Sequence, residues 1–160
     1  WSAVALGLIA GGLSIVDALS PHDGLVITGG LLHAFLYFAT AGSLLHYMLR
    51  DHRVTLDELF AVGATFTVLA WAFAYVFSGV QAVWPGSFTG LGPPGDRTWF
   101  DLLFASFANL TGVGLSDVVP VLPHARSVVM VEQVTGVMYV ALVISRLVGL
   151  TIAPANAEDR

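Results

Sequence analysis

The chain has 160 residues, of which 56% are hydrophobic and only 11% charged, with a formal net charge of -5 and a mean hydropathy of +0.82. Charge this sparse excludes an ordinary soluble domain, where about a quarter of residues are charged, and the acidic balance argues against nucleic-acid binding. There is no cysteine, hence no disulfide and no thiolate metal site, and all six formal positive charges are arginines. The composition is that of a membrane protein.

Crossing a bilayer as a helix takes roughly 20 apolar residues, and four segments qualify: 1–19, 25–49, 57–84 and 125–152. The first is rich in Gly and Ala, carries Asp17 near its end and leads into the turn Ser20-Pro21-His22-Asp23-Gly24. The second contains His33 and His46, which read as packed or interfacial polar groups because no pair has metal-ligand spacing. The polar break Arg50-Asp51-His52-Arg53 follows, and Thr55 with Glu58 has the spacing of a capping box that opens the third helix. That helix is predicted to end at Trp84-Pro85, where Trp suits the interface and Pro stops the helix. A Gly/Pro loop, PGSFTGLGPPGDR over 85–97, brings the chain to Asp96 or Thr98 as the cap of a short helix. By the positive-inside rule Arg50 and Arg53 place their loop in the cytoplasm. Both termini then lie inside and the 85–124 region outside.

Residues 98–120, TWFDLLFASFANLTGVGLSDVVP, carry the most information. An apolar run of about 13 residues is too short to cross as a helix, so it is expected to enter the membrane and turn back. Non-helical backbone at that depth survives only where protein buries it or a water-filled cavity exposes it. A short helix aimed at a Gly-rich strand therefore suggests an ion pathway lined by carbonyl oxygens. The plainer alternative is a helix C-cap with Gly112 left-handed, followed by an ordinary loop.

At these residues the chain resembles the potassium-channel pore family, in particular small bacterial channels with two pore-forming helices. Leu110-Thr111-Gly112-Val113-Gly114-Leu115-Ser116-Asp117-Val118-Val119-Pro120 lines up with that family's LTTVGYGDxxP. The first Thr, the Val, the first Gly, the Asp and the Pro are kept. The second Thr is replaced by Gly112, the Tyr by Leu115 and the last Gly by Ser116. The wider resemblance covers roughly residues 52–152, including PGSF at 85–88 and ARS…E…TG…RLVGL over 125–150, and residues 1–50 contribute nothing to it.

The resemblance implies an all-α membrane protein with two peripheral transmembrane helices in 1–50 and an ion-channel pore domain over 51–153. Within that domain it implies an outer helix at 57–84, a re-entrant pore helix at 98–111, a filter at 112–116 and an inner helix at 125–152. A cytoplasmic tail at 154–160 completes the chain. It further implies a homotetramer in the lipid bilayer of the plasma membrane, with no enzymatic activity and no cofactor. Permeant K+, and Na+ with it, would be the only small-molecule substrates, with monovalent cations held at the filter carbonyls.

A potassium filter replaces an ion's water shell with rings of backbone carbonyls from four chains. The filter residues are then Thr111, Gly112, Val113, Gly114, Leu115 and Ser116, with the carbonyls of 112–115 as ligands. The C-terminal end of the pore helix, near Thr111, points toward the ion path, where the helix dipole favours cations. The three departures loosen this arrangement. Gly112 removes a hydroxyl ring, and Leu115 packs where a phenol would anchor the wall. A left-handed Ser116 would carry strain of about 1–2 kcal/mol per chain, roughly 4–8 kcal/mol over four, unless the outer filter relaxed. The expectation is a weakly selective cation pore. The alternatives are a strictly K+-selective channel, and a non-conducting subunit or a transporter; a transporter would show repeated halves with broken helices in both.

Asp117 is placed at the outer mouth, where four copies would draw cations, whereas Asp96 and Asp101 read as capping and solvated groups at a helix N-terminus. Gly136 is either a gating hinge of the inner helix or a close-packing glycine. Thr135, Tyr139 and Val143 share a face that lines the cavity or packs in the core. Glu132, an ionisable residue in a spanning segment, is assigned to bracing the pore helix or filter from behind. Arg146 snorkels to the cytoplasmic interface.

Overall fold

The computed structural model describes secondary structure for residues 23–50, 56–92 and 94–158, and side chains for 28–49, 59–92 and 94–148. The helix expected at 1–19, most of the turn after it, and the 51–55 segment with Arg53 and its predicted cap lie outside the described residues. The elements in chain order are α1 (Asp23–Arg50), α2 (Leu56–Val83), β1 (Phe88–Thr89), α3 (Trp99–Leu110), β2 (Val119–Pro120) and α4 (Pro123–Glu158). Among the described residues three helices are long and apolar enough to cross a membrane, with spans at Thr28–Leu49, Leu59–Val83 and Pro123–Val148. At 12 residues α3 is not one of them. Its length of about 18 Å covers little more than half of a hydrocarbon core about 30 Å thick.

Helix α2 is the centre of the packing. It runs beside α1 on one side and meets α3 and α4 on the other, with α3 held between α2 and α4. Ala70, Ala72 and Ala74 are completely buried along α2, and small side chains of this kind let membrane helices approach closely. One apolar cluster joins Ala41 and Met48 of α1 to Leu69, Ala70 and Phe73 of α2, then to Leu110, Tyr139 and Val143. A second gathers Phe77, Val80, Phe88, Leu102, Ala105, Val118, Ala125 and Val129 around the loop side of α3. Between α1 and the start of α3 runs a band of rings: His33 stacks on Tyr75 at 4.7 Å, Tyr37 on Tyr75 at 5.7 Å, and Trp71 meets Trp99 edge-on at 5.2 Å.

Two boundaries differ from the expectation. Helix α4 begins at Pro123, before residue 125, because proline suits the first helical position, where its missing N–H costs nothing. It also continues to Glu158, so the stretch read as a tail at 154–160 begins in helix. Pro154 removes one ladder hydrogen bond, and the alanines at 153, 155 and 157 are strong helix formers. The Gly/Pro loop holds an addition to the all-α plan: β1 pairs antiparallel with β2, Phe88 opposite Pro120 and Thr89 opposite Val119. The Val121 N–H extends the contact by donating to the Ser87 carbonyl at 2.9 Å. The PGSF segment is thereby tied to the strand that follows the turn.

Candidate functional site

The start of α3 is fixed from two directions. Thr98 is the N-cap: Asp101 N–H donates to its Oγ1 at 3.2 Å, and its own N–H donates to Asp101 Oδ2 at 2.9 Å. This reciprocal capping box satisfies two orphan donors of the first turn and gives Asp101 the capping role expected of it. Asp96 accepts only a long bond, 3.4 Å, from Gly86 N–H. Gln81, nearly buried at the end of α2, grips the backbone just before the cap. Its amide nitrogen donates to the Arg97 carbonyl at 2.9 Å and its Oε1 accepts from Arg97 N–H at 2.8 Å.

The end of α3 is a glycine cap that opens into an exposed strand. Gly112 has φ +73° and Gly114 φ +65°, with no positive-φ residue between them. Gly112 N–H donates to Asn109 O at 3.0 Å and Gly114 N–H to Ala108 O at 2.8 Å. The left-handed Gly112 of the plainer reading is therefore present. The Thr111 hydroxyl turns back onto α3, 2.8 Å from the Phe107 carbonyl. Among the described residues the carbonyls of Gly112, Val113 and Leu115 accept no hydrogen bond, and that of Gly114 accepts one from Ser116 N–H at 3.0 Å. Val113 and Leu115 are 70% and 77% exposed.

The strain anticipated at Ser116 is absent. No described residue other than glycine has a positive φ, and the Ser116 hydroxyl instead accepts from Val118 N–H at 3.0 Å, closing a local turn. Asp117 follows on the exposed surface, and its carboxylate has no partner among the described residues. Gly90 packs against its backbone, where an added Cβ would stand 3.0 Å from the Asp117 carbonyl.

Behind the exposed strand the packing is tight. A Cβ on Gly136 would sit 2.0 Å from the Leu110 carbonyl, so α4 crosses the last turn of α3 at van der Waals limits. Close packing alone thus accounts for glycine here, and α4 is helical straight through it. Glu132, on the preceding turn, is completely buried and its Oε1 is in hydrogen-bond contact with the Ser106 hydroxyl on α3. Ser106 Oγ also lies 2.8 Å from the Ala70 carbonyl of α2. Tyr139 and Val143 belong to the core, Tyr139 through a 2.7 Å bond to the Val62 carbonyl. Of the two readings of that face, core packing is the one the structure shows for these two, because they pack against α2. The uncovered face of α4 carries Val134, Val137 and Ile144 instead. No cluster of three His, Asp or Glu gathers among the described residues.

Ser106 and Gln81 are the structural residues the sequence reading missed. Each is a polar side chain inside an apolar run, which in a membrane helix marks a position that needs a partner.

A sequence profile described as an ion channel matches residues 63–152, from α2 through α3 and the loops around it and along α4. The chain belongs to the ion-channel family. The match includes the short helix, the 112–117 segment and both flanking spans, and leaves α1 outside. With three helices among the described residues long and apolar enough to span, the channel is a multi-pass membrane protein. No curated protein and no solved structure matches the chain.

Proposed function

We propose that four copies of this channel surround one pore and conduct K+ and Na+ passively, with the backbone carbonyls of residues 112–115 as ligands. The observation that carries the reading is the segment after α3, where left-handed glycines flank Val113 and three carbonyls are free of hydrogen bonds. A left-handed residue reverses its peptide relative to a right-handed neighbour. Alternation therefore turns successive carbonyls toward one side, as a carbonyl-lined filter requires. This segment leaves the C-terminal end of a buried half-span helix, whose dipole favours a cation. One chain supplies one strand, and the exposure of Val113 and Leu115 fits a surface that other copies complete.

Weak selectivity follows from a loosely held filter. Gly112 adds no hydroxyl, Leu115 has no polar anchor, and the turn at Ser116 draws the Gly114 carbonyl into a bond of its own. Ions of similar radius are told apart only by ligand positions held to a fraction of an ångström. Asp117 raises the cation concentration at the mouth, Gly136 bends when the inner helix opens, and Glu132 supports the pore helix. The channel works in the plasma membrane with both termini in the cytoplasm, without enzymatic activity or cofactor. Purified protein in liposomes tests this through reversal potentials under K+ and Na+ gradients. A modest K+ preference is expected. A sharp K+ preference would replace the weak-selectivity reading, and no flux at all would end the channel reading.

A further inference from the structure

Three oxygens meet where the three pore helices cross: the Ala70 carbonyl of α2, the Ser106 hydroxyl of α3 and the Glu132 carboxyl of α4. Ser106 Oγ is in hydrogen-bond contact with both of the others, at 2.8 Å from Ala70 O. Two contacts need two hydrogens. A serine hydroxyl supplies one, and a backbone carbonyl supplies none. If Ser106 spent its hydrogen on an ionised Glu132, two bare oxygens would face each other across the Ala70 contact. No cation stands by to hold a buried carboxylate either, since Glu132 makes no ion pair among the described residues and its Oε2 has no partner. The groups that α2 and α3 present to it, Ala70 and Ser106, are both uncharged.

We infer that Glu132 is a hydrogen-bond donor, its carboxyl O–H bonding Ser106 Oγ while the Ser106 O–H bonds the Ala70 carbonyl. The relay is directed, Glu132 to Ser106 to Ala70, and joins inner, pore and outer helices at one point. It lies one helical turn from Gly136, which abuts the carbonyl of Leu110 at the end of α3. Together these contacts set the rotation and depth of the pore helix, and with them the position of the segment that leaves it. Glu132 is thus a positioning residue, acting on the ion path through Ser106. That consequence rests on the pore reading proposed above; the donor assignment itself does not.

Infrared difference spectroscopy of purified protein in lipid, parent minus Glu132→Gln, tests the donor directly at neutral pH. The C=O stretch of a protonated carboxylic acid is expected in the parent and absent from the variant. A carboxylate band in its place overturns the inference. Liposome flux then tests positioning. Glu132→Gln keeps a neutral donor and is expected to rescue flux to within about twofold, whereas Glu132→Leu, which strands Ser106, is expected to lower it about tenfold, the scale of one unmade buried hydrogen bond. Equal flux from the Gln and Leu variants overturns the positioning role. A parent that conducts nothing would fail the channel reading while leaving the infrared result intact.

Discussion

The two sides of the loop between α2 and α4 are built on opposite rules. Its back, facing α2 and α4, is closed: Ser106 is bonded to two helices, Gly136 touches the Leu110 carbonyl, and Gln81 fixes the backbone entering α3. Its front, from Gly112 to Asp117, is open, with free carbonyls, exposed Val113 and Leu115, and an unpartnered carboxylate. Buried polar groups need partners within the chain because unmade bonds there are costly. Exposed ones are free to meet water, ions or another copy. The back therefore sets where the loop stands, and the front is left for what the loop does.

The largest expected effect comes from forcing the back apart. Gly136→Ala puts a methyl where the Leu110 carbonyl stands, and should cost about 1–3 kcal/mol per chain, as overpacking typically does. Gly136→Val should abolish the folded assembly. Thermal unfolding in detergent with size-exclusion chromatography reads both; an alanine variant as stable as the parent would leave only the hinge role.

Next is the grip at the entrance to α3. Gln81→Leu removes two hydrogen bonds to the half-buried Arg97 backbone, a loss of about 1–3 kcal/mol at about 0.5–1.5 kcal/mol per bond. The same melting assay measures it, and an unchanged midpoint would mean that water replaces the amide.

Changes at the front should alter conduction more than stability, with one exception. Gly112→Thr alone forces a β-branched residue to φ +73°, a strain of about 1–2 kcal/mol per chain. It should weaken assembly without improving selectivity. Combined with Leu115→Tyr and Ser116→Gly, which together let the strand change course, it should raise the K+ over Na+ preference above that of the parent. Reversal potentials decide this, and because the three neighbours share one network their effects need not add. A parent as selective as the triple variant would refute the loosened filter.

The smallest effect is the most specific to the front. Asp117→Asn should lower single-channel current at low ionic strength and have little influence at 1 M salt, where the Debye length is about 3 Å. Stability should not change, since the carboxylate has no partner to lose. Equal conductance at low salt would make Asp117 a bystander.

Local chemistry made much of this legible in advance. Spanning segments follow from the length of apolar runs, so α1, α2 and α4 were placed to within a few residues, apart from the C-terminal extension of α4. The bounds of α3 follow from a capping box and a glycine, both written in adjacent residues. The LTGVGLSD motif pointed to an ion-channel family, to which the chain belongs. The contacts that hold the loop were not legible, because each needs residues distant in sequence to meet at a distance that no periodicity encodes. Ser106 reaches Ala70 across 36 positions and Glu132 across 26, and Tyr139 reaches Val62 across 77. The sequence could say that Glu132 needed a partner, since an ionisable group in an apolar run does. Only the packing of α2, α3 and α4 chose which partner, and the crossing of α4 over Leu110 gave Gly136 a reason to be glycine even in a straight helix.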